Sequence, residues 1–219
     1  MAKNINIDVF LNWLEKQADI GDYVVGKLVR DDKIDYATKP YVEGLDPFFT
    51  DISKMYAFKI PYGLDGFAYL EINEYLIDRF EIYQPTLQEL AIHNMGTPVI
   101  RRIDDIINDI MGLSIVPFGD IIPLYVVTTS YYKYGTFYLC DAVMLEDICE
   151  EVCEDSHRNV IFIASSQDEI MVVSDPQMSV YDIKNIVHDC NREESIKNDA
   201  LTDSIFIFDR DNERLKEMY

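Results

Sequence analysis

Apolar residues recur at helical spacing where the chain begins: Ile5, Val9, Phe10, Trp13 and Leu14 share a face, predicting an amphipathic helix that ends before Gly21. A Val/Tyr-rich strand follows within Asp22 to Arg30. Asp31 to Asp65 is punctuated by Tyr, Pro and Gly and yields no secure element. Gly66 to Ile72 reads as a strand. Tyr75, Leu76 and Phe80 predict a short helix, and Pro85 to Met95 predicts a second that Gly96 breaks. A third begins at Pro98, with Ile103, Ile106, Ile107 and Ile110 as its apolar stripe and Gly112 as its stop.

The second half alternates periods more clearly. Leu124 to Thr129 and Thr136 to Asp141 predict a hairpin closed around Gly135. Leu145, Ile148, Cys149 and Val152 predict a helix over Met144 to Asp155. Strands Val160 to Ala164 and Ile170 to Ser174 come next, then a helix carrying Val180, Ile183, Val187 and Cys190, then strands Ser204 to Asp209 and Arg214 to Tyr219. The expected fold class is α+β, with a mixed, mainly antiparallel sheet of ββαββαββ order in the C-terminal half. Residues 1–112 form a helix-rich N-terminal part with short strands and residues 113–219 the sheet domain. The apolar connector Gly112 to Gly119 suggests that the two pack together.

Composition narrows the function classes. With 219 residues and 48% hydrophobic content the chain is long enough for a core without staples, and 9 Gly and 8 Pro exclude collagen-like and low-complexity classes. Forty acidic against 19 basic residues give a net charge of -21, which disfavours direct nucleic-acid binding and attachment to anionic membranes. Residues 111–219 carry -13 of that charge and residues 1–110 carry -8. No apolar run approaches the roughly 20 residues of a membrane span, and Met1 to Asn6 has no basic segment leading into an apolar one. Cys140, Cys149, Cys153 and Cys190 read as reduced core thiols. The expected compartment is the cytoplasm.

Candidate chemistry is sparse. Cys149, Cys153 and His157 lie four apart and would line up on an uninterrupted helix, but a structural zinc site gathers four ligands and no second Cys/His pair with metal-ligand spacing is visible. Core packing and a helix end explain them better, so no metal or other cofactor is expected. His93 and His188 fall in helices without a nucleophile-elbow sequence, and there is no phosphate loop. One segment is unusual: Glu146, Asp147, Glu150, Glu151, Glu154 and Asp155 make six of ten residues acidic, a negative charge about every 2.5 Å of helix at 1.5 Å rise. A solvated helix face is the plainer reading of such a run.

Leu90-Ala91-Ile92-His93-Asn94, Ile103-Asp104-Asp105-Ile106-Ile107-Asn108-Asp109-Ile110-Met111-Gly112, Tyr125-Val126-Val127-Thr128, Gly135, Ala164-Ser165-Ser166-Gln167-Asp168-Glu169-Ile170, Asn191, Leu201-Thr202-Asp203-Ser204 and Asp209-Arg210 together resemble an uncharacterised bacterial family, domain of unknown function 5688. The resemblance covers roughly residues 66–219 and implies no particular activity. The family pattern resembles Pro-Ser-Ser, one residue and His-Glu, where this chain has Ala164-Ser165-Ser166-Gln167-Asp168-Glu169. A mechanism using that His as base would lack it here. A turn whose Ser and Asp side chains bond nearby amides accounts for the segment more simply.

The expectation is therefore a cytoplasmic, non-enzymatic module that presents acidic helices to a basic protein partner. Two alternatives stay open. One is a hydrolase built from carboxylates with Ser165 or Ser166; the other is a DNA mimic directed at a nuclease or restriction system.

Overall fold

The computed structural model describes residues 7–33, 47–49, 51–63, 66–112, 123–153, 160–164, 166–174, 179–193 and 200–218. Two antiparallel sheets and their flanking helices make the chain α+β. In the first sheet, β1 (Val24–Arg30) and β4 (Gly66–Glu71) both pair with β3 (Ile52–Tyr62), as does the short β2 (Pro47–Phe49). Helices α1 (Ile7–Leu14), α2 (Glu74–Phe80) and α3 (Leu87–Met95) accompany it. Asn73 caps α2 by accepting from Leu76 N at 3.0 Å, and Gly96 at φ 71° ends α3.

The second sheet contains β5 (Val99–Arg102), β6 (Leu124–Thr128), β7 (Val160–Ile163), β8 (Ile170–Ser174), β9 (Ile205–Asp209) and β10 (Arg214–Met218), in the spatial order β10-β9-β7-β8-β6-β5. Helices α4 (Ile103–Met111), α5 (Ala142–Val152) and α6 (Val180–Arg192) complete it. No helix among the described residues is long and apolar enough to cross a membrane.

Three expectations need correcting. The strands of the N-terminal part are not all short, because the stretch without a secure element holds the 11-residue β3 as well as β2. The helix expected from Pro98 starts at Ile103; the β-branched Val99 and Ile100 instead form the sheet's edge, paired with Thr128 and Val127. Thr136 to Asp141 is not a strand. Gly135–Cys140 forms a 3-10 turn in which Gly135, Thr136, Phe137, Tyr138 and Leu139 are all buried, a run that the two-residue period of a half-buried strand does not produce. Among the described residues, the half expected as ββαββαββ thus runs β, 3-10, α, ββ, α, ββ.

Alternation along the inner strands divides the core. Val160, Phe162, Ile170, Val172, Phe206 and Phe208 join a large cluster that also holds Leu14, Val24, Leu28, Phe58 and Leu76 from the first half. Ile161, Ile163, Val173 and Ile205 point the other way, into a smaller cluster with Ile183 and Val187 of α6. Phe137 joins the two sheets: its ring lies over Gly26 of β1 and edge-on to Tyr56 of β3, with centroids 5.6 Å apart.

Candidate functional site

Helix α5 carries most of the acidic run. Asp141 caps its start by accepting from Met144 N at 3.0 Å, and Leu145, Ile148, Cys149 and Val152 are buried on one side. Asp147, Glu150 and Glu151 are exposed on the other, and none of them forms a salt bridge among the described residues. Glu146 is different. Both Nε and Nη2 of Arg210 donate to its Oε1, with the Arg210 side chain only 13% exposed. Arg210 reaches it from the β9–β10 turn, where Asp209 accepts from Asn212 N at 3.2 Å and from Asn212 Nδ2 at 2.9 Å. Lys216 and Asn212 hold the Asp209 carboxyl down at about 2. Glu154 and Asp155 lie outside the described residues. One carboxylate of the run, Glu146, thus serves as a strut between α5 and the β9–β10 turn.

The Ser-rich segment is a turn, and its centre is Asp168. Ser166 Oγ accepts from Asp168 N at 3.2 Å, as expected for an ST turn, so Ser166 is engaged structurally; Ser165 lies outside the described residues. Asp168 O accepts from Gly135 N at 3.0 Å and Thr128 Oγ1 at 2.8 Å, while its carboxylate accepts from Tyr134 N at 3.2 Å and Lys133 Nζ at 2.5 Å. Tyr132, its amide bonded to Thr129 O, and Tyr134, its amide bonded to the Asp168 carboxylate, take φ 56° and 61°, left-handed conformations that non-glycine residues adopt at a cost. A methyl group on Gly135 would meet Asp168 O at 2.7 Å and Thr128 Cα at 2.8 Å, so only glycine permits this approach. Beside the loop, Lys59 Nζ sits 3.3 Å from the Tyr131 ring centroid and 4.3 Å from that of Phe67, and Tyr69 meets Tyr134 edge-on. Burial pushes the Tyr131, Tyr134 and Tyr138 phenols up and the Lys59 ammonium down. The phenols stay neutral near pH 7. Among the described residues the cluster supplies shape and rigidity.

His188 Nδ1 lies 2.8 Å from Asp203 Oδ2, and Asn191 Nδ2 donates to Asp203 Oδ1 and Thr202 O, both at 2.9 Å. Burial opposes the Asp203 charge, but the hydrogen bonds from Asn191 and His188 outweigh it and hold the carboxyl below its ordinary value. Thr202 Oγ1 donates to Asp51, which tethers the turn before β3 to the second sheet. Burial raises the Asp51 carboxyl above its ordinary value, against the Thr202 hydrogen bond and with help from the Glu217 charge. No serine, threonine or cysteine hydrogen-bonds to His188 among the described residues, so this pair lacks the nucleophile that a hydrolytic triad needs.

Of the Cys/His row, Cys149 and Cys153 fall among the described residues. Cys149 is buried and its thiol is pushed up to about 12 by burial, Cys153 ends the helix, and His157 lies outside the described residues. No group of three or more His, Cys, Asp or Glu among the described residues could hold a metal ion. His93 is exposed on α3. What sequence reading missed was Arg210 and Asp168. Both are long-range partners; only their place in the resembling segments marked them.

No curated protein and no solved structure matches the chain. The family of unknown function DUF5688 matches residues 36–210, a stretch that takes in the resembling segments from Leu90 onward and with them α5, the Asp168 turn and the His188–Asp203 pair. On that match over most of its length, the chain belongs to the DUF5688 family.

Proposed function

We propose that the protein is a cytoplasmic, non-catalytic interaction module whose α5 face receives a basic protein surface. The observation that carries this is the pairing pattern on α5: Asp147, Glu150 and Glu151 project into solvent without salt bridges among the described residues, from a helix anchored by its buried side and by Glu146–Arg210. Like charges at three- and four-residue spacing cost an isolated helix about 0.2–0.5 kcal/mol per pair. They bring folding no return, whereas a basic partner would convert that repulsion into attraction and steer the encounter. The free cysteines fit a reducing compartment. Occupation of Ser166 in a turn gives the hydrolase alternative no support.

The test is affinity capture with the full chain at graded salt, followed by titration of the captured partner. Wild type should hold a basic partner at low salt and lose it as salt rises, and D147K/E150K/E151K should weaken binding at least tenfold. A partner whose affinity ignores both salt and the triple substitution overturns the proposal. Competition by duplex DNA for the same partner would move the reading to DNA mimicry.

A further inference from the structure

A pocket of about 420 Å³ opens where α1 and α2 both end. One wall comes from the turn after α1, through Glu15, Asp19 and Ile20, and the other from Arg79, Phe80 and Glu81. Both walls are fixed by local bonds. Glu81 stops α2 in the left-handed conformation, at φ 52°, with its amide turned back on Asp78 O and Ile77 O. Asp19 Oδ1 accepts from Gly21 N at 2.8 Å, where the chain enters a short 3-10 turn. Arg79 joins the two walls, donating to Glu15 through Nε and Nη2 and to the Tyr75 hydroxyl through Nη1 at 2.6 Å. Phe80 is held edge-on against Phe58, with centroids 5.9 Å apart. The cavity is thus braced from both helices before anything enters it.

The lining carries three carboxylates and one guanidinium. Arg79 is taken by Glu15, which leaves Asp19 and Glu81 as the surplus charges; both are exposed, and neither forms a salt bridge among the described residues. Lys16 belongs to the same turn but does not line the cavity. The C-terminal ends of α1 and α2 add potential of the same sign. Between the carboxylates, half-buried Ile20 and Phe80 supply apolar surface. This combination rejects an anion, and no group of three or more His, Cys, Asp or Glu among the described residues could hold a bare metal ion. We propose that the pocket binds a linear alkyl diamine, with one ammonium at Asp19, the other at Glu81 and the methylenes across Ile20 and Phe80. Two positive charges match the two unanswered carboxylates. The lysine tail of a basic protein brings only one, so this site differs in chemistry as well as in place from the α5 face. The volume lies within the range of about 300–1,000 Å³ usual for small-molecule sites.

Amide magnetic-resonance titration of the full chain with putrescine, cadaverine and butylamine tests this. At least one diamine should saturate a single site, shifting the Ile20, Gly21 and Glu81 amides, and butylamine should bind at least tenfold more weakly. D19N/E81Q should raise the diamine dissociation constant at least tenfold with an unchanged thermal midpoint, since both side chains are exposed and an amide oxygen at position 19 can still accept from Gly21 N. D211N/E213Q removes the same charge from the exposed β9–β10 turn and should change the affinity less than twofold. Equal losses in the two variants would mean diffuse attraction to a chain of net charge -21 and overturn the proposal. So would butylamine binding as tightly as the diamines, an affinity unchanged in D19N/E81Q, or no shift at these amides with any of the three amines at millimolar concentration.

Discussion

Adding one methyl group at Gly26 should displace a buried ring and reveal how the two sheets are held together. A Cβ at that position would lie 2.2 Å from Phe137 Cε1, 2.3 Å from Cζ and 2.4 Å from Cδ1, whereas normal carbon contacts begin near 3.5 Å. The ring must retreat by more than about 1 Å within a core where Phe137 has no exposed surface, loosening its edge-on contact with Tyr56. Overpacking of this kind costs about 1–3 kcal/mol and the lost aromatic contact about 0.5–1.5 kcal/mol more. The smaller unfolded-state entropy of alanine offsets about 0.4–1 kcal/mol. Gly26→Ala should therefore lose about 2 kcal/mol, and Phe137→Leu about 1–2 kcal/mol through the space it leaves. In the double variant the methyl group occupies part of that space, so its loss should fall short of the sum by at least about 1 kcal/mol. Urea unfolding followed by fluorescence and circular dichroism gives all three values. Additivity within about 0.5 kcal/mol would refute the placement of Phe137 over Gly26.

Gly135→Ala should cost at least about 2 kcal/mol in the same assay, because its clashes are with Asp168 O and Thr128 Cα, backbone atoms that cannot rotate away. Asp203→Asn should lower the thermal midpoint at pH 7. The folded carboxyl lies below its unfolded value, so its contribution is fully present above about pH 4 and fades as pH falls through the lowered folded value; wild type and variant should converge in acid. A deficit that stays constant with pH would argue against the His188–Asn191–Asp203 cluster. A thiol reagent at pH 8 should label exposed Cys190 quickly and leave Cys149 untouched until the protein unfolds, since burial both shields Cys149 and holds its thiol up at about 12. Mass mapping of the labelled cysteines reads this directly.

Elements with an uninterrupted period were legible in the sequence: α6 was evident from Val180, Ile183 and Val187, and β7, β8 and β9 from dense Ile, Val and Phe. The misread elements are those in which tertiary contacts override local preference. Tyr138 illustrates this, since its hydroxyl donates toward Gly96 O at 3.0 Å from a segment rich enough in β-formers to look like a strand. Val99 and Ile100 were absorbed into the helical stripe of Ile103 onward because nothing local signals that β6 offers them an edge. The acidic run was visible by composition alone, yet Glu146 could not be separated from its neighbours. Arg210, 64 residues away, makes that difference.

The Asp168 turn also bears on the order in which the chain acquires structure during synthesis. Lys133 and Tyr134 take their geometry from a carboxylate 34 or 35 residues further along. While the growing polypeptide emerges from the ribosome, Thr129 can already bond the Tyr132 and Lys133 amides, but the Tyr134 amide lacks its partner until the β7–β8 connection has been translated. The 3-10 turn that follows them inherits the delay. The union of the two sheets through Phe137 is thereby a late event, and a nascent chain stopped short of Asp168 should leave its N-terminal sheet without that neighbour.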